Sequence, residues 1–315
     1  MSVTVLGECV ADAFVLPRTQ GAPGGALALE VHPGGGPANT ATALARLGTP
    51  TRFLGRLAAD PFGALFRDRL AEAGVDLTDC VAAAEPSTLA IAALDERGQA
   101  GYSFHAEGTA DWQWRPEELA TVDLTGTQAV HTGSLALVRA PSGQVIEEFL
   151  ARAGAHATIS IDPNLRPLLV APEHYRQRIA RWCTLADLLR LSSDDLALLS
   201  PEHTPEQACD HWHELGVPVV VLTLGDRGAL VSLNGTRLSV PAVRTRVVDT
   251  VGAGDAFTGG LLHALAGRRL LGGRLSTLTL EQLADGCRFA AEVAALTCAV
   301  AGANPPRAEQ LRRPA

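Results

Sequence analysis

Short apolar runs alternate along this chain with stretches whose apolar positions return every three or four residues. The first run predicts a buried strand over residues 2–9, ending in Gly7 and Glu8. A helix follows from Asn39 to Leu47, closed by Gly48, then a strand over Thr51–Leu57 and a helix over Pro61–Ala73 ended by Gly74. Ser87–Asp95 and Gly101–His105, joined by Glu96-Arg97-Gly98, read as a hairpin with a charged tip. Beyond Asp111 the pattern predicts strands over Ala129–Thr132, Ala157–Ile161, Leu188–Leu191, Val219–Leu224 and Ala229–Leu233. Helices are expected over Ser142–Ala153, His174–Leu185, Thr204–Leu215, Gly252–Ala266 and Leu280–Cys298. Such alternation implies an α/β fold, a mostly parallel central sheet with helices on both faces. Segments 10–34 and 87–110 break the alternation and are expected to form a small β-sheet lid on what is otherwise one domain, residues 1–315. In sheets of this kind ligands bind beyond the carboxyl ends of the strands.

The chemistry concentrates in Val248-Asp249-Thr250-Val251-Gly252-Ala253-Gly254-Asp255-Ala256-Phe257-Thr258-Gly259-Gly260. This stretch reads as a strand end, a tight glycine turn and the start of a helix. Unpaired N–H groups and the positive end of the helix dipole make such a start an anion site. Asp255 sits within it. A carboxylate there can take a proton from a hydroxyl while the amides of Gly252, Ala253 and Gly254 stabilise charge on a transferring phosphate. The competing account is a plain strand–helix turn with an acidic first turn. Gly34-Gly35-Gly36-Pro37-Ala38-Asn39 is a second glycine-rich entry into a helix, either another anion site or merely a tight turn.

Composition narrows the field. With 315 residues, 47% of them hydrophobic, the chain can bury a large core. A net charge of −8 argues against a nucleic-acid partner, and no apolar run approaches a membrane span. The N-terminal residues lack a basic region and continue as a strand, so a signal peptide is not expected and a cytoplasmic location is. The six cysteines are scattered without metal-ligand spacing and read as isolated thiols. All 26 basic residues are arginine, which rules out a Walker A loop with its Gly-Lys-Ser/Thr. Phosphate chemistry must then rest on amides, arginine and a metal ion.

The 249–255 stretch resembles the D-T-x-G-A-G-D signature of the PfkB/ribokinase family of sugar kinases, uninterrupted, and the likeness extends from Val3 to about Asn304. The resemblance implies a ribokinase-like fold, ATP and Mg²⁺ as co-substrate and cofactor, K⁺ as a further ion, and Asp255 as the base. It assigns Gly35, Gly36 and Asn39, in a G-G-x-x-A-N motif, and Asp12 to the sugar hydroxyls, although Asp12 alone would be an ordinary loop carboxylate. Asp162-Pro163-Asn164-Leu165-Arg166 is similar to the D-x-N-x-R loop of fructokinases and 2-keto-3-deoxygluconate kinases, which makes Arg166 the expected phosphate clamp; a structural Asp–Arg pair competes. Where the family has N-x-x-E, this chain has Ser192 and Asp195, assigned to ATP and, through water, to magnesium, with a helix cap as the rival account. Thr223-Leu224-Gly225-Asp226-Arg227-Gly228 resembles T-L-G-x-x-G, which places Thr223, Gly225 and Gly228 against the nucleotide. Asp249, Val251, Thr297, Val300 and Gly302 would surround a monovalent cation.

Proline at 37, the loop at 162–166 and Glu107-Gly108-Thr109-Ala110-Asp111 point to the fructokinase branch. Ala106 departs from it, because related fructokinases often carry arginine there. The expected activity is phosphorylation of fructose to fructose 6-phosphate by ATP. The alternatives are a 2-keto-3-deoxygluconate, ribose or nucleoside kinase, or a non-catalytic sugar-binding regulator. A homodimer through the apolar lid face (Leu89, Ile91, Leu94) is a further expectation.

Overall fold

The computed structural model describes residues 1–16, 27–94 and 100–311; the expected hairpin tip at 96–98 lies outside them. Fourteen strands are present among these residues: β1 (Ser2–Leu6), β2 (Val10–Val15), β3 (Leu29–Gly34), β4 (Thr51–Leu54), β5 (Arg56–Ala58), β6 (Val81–Ala83), β7 (Thr88–Leu94), β8 (Ala100–His105), β9 (Thr127–Gly133), β10 (Thr158–Asp162), β11 (Leu188–Ser192), β12 (Val219–Thr223), β13 (Ala229–Leu233) and β14 (Thr236–Val240). The helices are α1 (Gly36–Arg46), α2 (Pro61–Ala73), α3 (Pro116–Ala120), α4 (Ser134–Val138), α5 (Ser142–Ala153), α6 (Pro172–Leu185), α7 (Ser193–Leu199), α8 (Pro205–Glu214), α9 (Ala253–Gly267), α10 (Leu280–Cys298) and α11 (Ala308–Leu311).

The main sheet runs β14-β13-β12-β11-β10-β9-β1-β4, parallel from β4 to β12 and closed by an antiparallel β12–β13–β14 meander. Its parallel strands are almost wholly buried because both faces are covered. Leu189, Leu191, Val220 and Leu222 face one core with Trp182 and Trp212. Leu188, Val219 and Val221 face another with Phe257, Leu261 and Cys287 from α9 and α10. The expected strand 51–57 is two strands, since Gly55 separates β4 from the short β5–β6 pair. The expected helix at Asn39 begins earlier, at Gly36, with Pro37 in its first turn.

The two segments that broke the alternation do form a separate sheet, β3-β2-β7-β8. Its apolar face is not wholly free: Leu89 and Val31 pack against the core under α1 and α2 of the same chain. The carboxyl ends of β9, β10, β11 and β12 lie side by side, with Gly133 opposite Asp162 and Ser192 opposite Thr223. The lid joins the body at this same edge through residues 7–9.

Candidate active site

Gly252 ends the loop before α9 in the left-handed conformation, φ 76°, and a Cβ there would fall 2.6 Å from the Cβ of Ala303. Glycine is required on both counts. Among the described residues no side chain caps the helix start. The Ala253 N–H turns back to the Thr250 carbonyl at 3.2 Å, which takes one of the three expected amides. Among the described residues no protein acceptor faces the Gly252 or Gly254 amide, so these two N–H groups are open at the helix start.

Asp255 is 9% exposed in the first turn of α9. Its Oδ2 accepts a hydrogen bond from Asn39 Nδ2 at 2.9 Å, and its carbonyl accepts one from Thr40 Oγ1 at 3.3 Å. Burial pushes its pKa up to about 6, against the Asn39 hydrogen bond and the charge of Arg166. A carboxylate raised in this way is a better base near neutral pH than one exposed to water.

Gly36 lies between the groups that approach it: a Cβ would meet Asn164 Nδ2 at 2.7 Å and Asp255 Oδ1 at 3.3 Å. Asn39, Asn164 and Asp255 therefore converge on one glycine. Gly35, with φ 106°, turns the chain over the Glu8 carbonyl. Asp12 reaches in from β2 of the lid, its Oδ2 lying 2.0 Å from where a Gly34 Cβ would be. Burial lifts the Asp12 pKa to about 6, opposed by the charges of Arg166 and His32. Among the described residues the Arg166 guanidinium is bonded to protein only through the Leu165 carbonyl at 3.1 Å, and its charge acts on both Asp12 and Asp255. Of the five residues expected to hold the sugar, Gly36 and Asn39 thus lie at Asp255, Asp12 lies at Gly34, and Arg166 acts on both carboxylates through its charge.

Asp195 ties the start of α7 to the loop that carries Asn164 and Arg166. It completes a capping box with Ser192 at the start of α7, and its Oδ1 accepts from the Leu165 N–H at 2.8 Å. The cap account is correct for the pair, and the second bond fixes the 162–166 loop. Asn164 holds φ 41°, a conformation asparagine tolerates better than most residues.

Arg190 was missed by the sequence reading. It lies 5% exposed in the middle of β11, ion-paired to Asp162 at 2.8 Å and hydrogen-bonded to Thr223 Oγ1 at 2.7 Å. A Cβ on Gly254 would fall 2.8 Å from its Nη1, so the guanidinium sits against the open start of α9. Burial opposes its charge, yet Asp162 carries its pKa above the ordinary arginine value. The one available signal was a charged residue inside the apolar run Leu188-Leu189-Arg190-Leu191. Glu8 was also unassigned. It is buried, which raises its pKa, and it accepts from the Ala136 N–H at 3.1 Å.

Thr223 ends β12, and Gly225 and Gly228, expected to face the nucleotide, shape the next turn with φ 62° and 88°. Asp249 joins two loops, its oxygens accepting from Val251 N–H at 3.0 Å and Gly302 N–H at 2.8 Å. Val300 N–H donates to the Thr297 carbonyl at 3.3 Å, whereas the Thr297 hydroxyl turns back to Val293. Val251 and Val300 are exposed at this junction. Among the described residues no three His, Cys, Asp or Glu side chains form a metal cluster, and no helix is long and apolar enough to cross a membrane. The six cysteines are unpaired thiols.

A buried carboxylate and two open amides at a helix start, beside a buried arginine and near a small separate β-sheet, suit a small-molecule phosphotransferase. Residues 2–310 match the family described as pfkB family carbohydrate kinase, and the chain belongs to it. It is 35% identical over 287 residues to a fructokinase of Rhizobium leguminosarum bv. trifolii, covering 89% of this chain and 85% of that protein. The fructokinase of Xylella fastidiosa with bound ATP superposes with a TM-score of 0.85 at 29% identity, over 96% of this chain and 93% of that one. The fructokinase of Vibrio cholerae O395 with fructose, ADP and calcium bound gives 0.79 at 28% identity, over 96% and 94%.

Proposed function

We propose that this kinase transfers the γ-phosphate of ATP to the 6-hydroxyl of fructose. The observation that carries the reading is Asp255, buried at an uncapped helix start and aimed with Asn39 and Asn164 at the space beside Gly36. In this reading Asp12, Gly35, Gly36, Asn39, Asn164 and Arg166 hold the sugar. Asp255 takes the proton from the attacking hydroxyl as it meets the γ-phosphorus in line. Arg190 and the amides of Gly252 and Gly254 stabilise the charge on the transferring group. Thr223, Gly225, Gly228 and Ser192 line the nucleotide.

The donor set fits a magnesium ion held mainly by the nucleotide phosphates. Asp195 already accepts three protein hydrogen bonds, and among the described residues Asp162 Oδ1 is buried without a partner. When bound, that ion neutralises phosphate charge. The Asp249 junction is where we place the monovalent cation, through backbone oxygens of Val251, Thr297, Val300 and Gly302. A second copy of the chain is the partner we assign to the lid, whose Phe14 and Tyr102 are 46% and 56% exposed.

The test is ADP release with Mg-ATP across fructose, ribose, 2-keto-3-deoxygluconate, tagatose, glucose and adenosine, with Asp255→Asn as control. We expect a response selective for fructose and lost in the variant, with phosphorus at the 6-position by NMR. Selectivity for another sugar would overturn the substrate, and sugar binding without turnover would overturn the enzyme. Light scattering showing a monomer would remove the lid dimer.

A further inference from the structure

Asp111 closes the Glu107–Asp111 segment, and no step above uses it. It is 2% exposed, and its two oxygens reach different crossings between lid and body. Oδ1 accepts from the Cys9 N–H at 2.9 Å, where the chain leaves β1 for the lid. Oδ2 accepts from Thr88 Oγ1 at 2.6 Å, at the first residue of β7. Thr88 Oγ1 in turn lies 2.6 Å from Thr109 Oγ1, on the return from β8. One carboxylate thus ties together three of the strands' connections to the body.

The surroundings are fixed to the body rather than to the lid. Ser87 donates through its N–H and hydroxyl to Asp60, both at 2.8 Å. Glu85 pairs with the buried Arg56 at 2.8 Å, and Arg56 Nε also donates to the Ala110 carbonyl at 3.1 Å. Ala110 N–H donates to the Pro86 carbonyl at 2.9 Å, and Trp112 Nε1 to the Ala106 carbonyl at 2.8 Å. Above this line the lid continues as paired strands, with Val10 beside Thr88 and Asp12 beside Ala90. Asp12 is only three residues beyond Cys9.

We propose that Asp111 is the pivot of the lid, a positioning residue that keeps β2 and β7 in register with the body so that Asp12 arrives over the sugar when the lid closes. It touches neither sugar nor nucleotide; it acts through Cys9 and Thr88. A carboxylate suits the task because it accepts from both at once. Asparagine keeps one acceptor for Cys9, and the Thr88 hydroxyl can turn to accept from its amide. Alanine leaves both donors buried and unpaired. The inference rests on the kinase reading, since lid closure matters only where it keeps water from the phosphoryl group.

The test compares wild type, Asp111→Asn, Asp111→Ala and Thr88→Val, each checked for cooperative unfolding. Sugar KM, ATP KM, and the ratio of ADP released to sugar phosphate formed are then measured. A loosened pivot raises the sugar KM about 10-fold or more and raises that ratio above one, with ATP KM within about 3-fold, in Asp111→Ala. Asp111→Asn restores the ratio, and Thr88→Val shifts it in the same direction as alanine. Lower melting temperatures with unchanged sugar KM and an unchanged ratio, in both Asp111→Ala and Thr88→Val, would overturn the proposal and leave Asp111 a structural residue. Wild type that makes no sugar phosphate would instead overturn the kinase reading itself.

Discussion

Asp255 and Arg190 meet at the first turn of α9, and they differ in how visible they were. Asp255 stood in a motif of glycines and threonines whose spacing carries its own mechanism. Arg190 stood alone in an apolar strand and acquired meaning only when β10, β11 and α9 brought Asp162, Thr223 and Gly254 around it. Asp255→Asn is expected to lower kcat on the order of 1,000-fold while leaving the sugar Kd nearly unchanged. It should also stabilise the fold. The folded-state pKa of Asp255 is raised to about 6 from an ordinary 3.8, so the folded protein holds that proton more tightly than the unfolded chain. The favourable contribution is present below pH 3.8 and is lost as pH rises toward 6. Above pH 6 the ionised group opposes folding, and calorimetry at pH 8 should show a higher Tm for the asparagine variant. The same shift sets the acid limb of activity, with kcat/KM falling through an apparent pKa of about 6. Gly254→Ala should cost kcat about 100-fold, since its methyl would displace Arg190 from the anion hole; single-turnover kinetics would show the loss in the chemical step.

At the scale of elements, β–α alternation was legible because a two-sided parallel sheet demands apolar runs and its helices demand a longer period. The lid was legible as the place where that alternation failed. What escaped was governed by contacts distant in sequence. β14 has little apolar content, Thr236-Arg237-Leu238-Ser239-Val240, and is a strand because it pairs antiparallel with β13. α7 is a single capped unit, as one of the two sequence readings had it, and its Asp195 also fixes the 162–166 loop, a contact that neither reading anticipated. Asp195→Ala is therefore expected to do two things: remove a cap for about 1 kcal/mol, and free the Leu165 N–H so that the sugar KM rises. Denaturant titration and initial rates would measure the two effects separately. A stability loss with unaltered sugar KM would confine Asp195 to the cap.

Across the whole molecule the residues of the proposed site come from both halves of the chain and meet at one edge. Asp12, Gly36 and Asn39 belong to the first fifty residues, whereas Arg190, Thr223 and Asp255 follow residue 185. The central sheet brings them together by placing β1 beside β9 and β10. A phosphate-binding edge built without lysine also exposes the enzyme to reagents that attack guanidinium groups. Butanedione is expected to inactivate it, with saturating ATP slowing the loss by shielding the phosphate-facing arginine. Inactivation at the same rate with and without ATP would place the sensitive arginine elsewhere.

The pair of Asp162 and Arg190 has one more consequence, for the conditions the enzyme can work in. A lysine ammonium at that place would discharge as the medium approached pH 10, and the rate would collapse on the alkaline side. A guanidinium held above its ordinary pKa by a buried carboxylate does not discharge there. The activity curve of this kinase should thus have a floor near pH 6, set by its base, and no ceiling set by its resident cation.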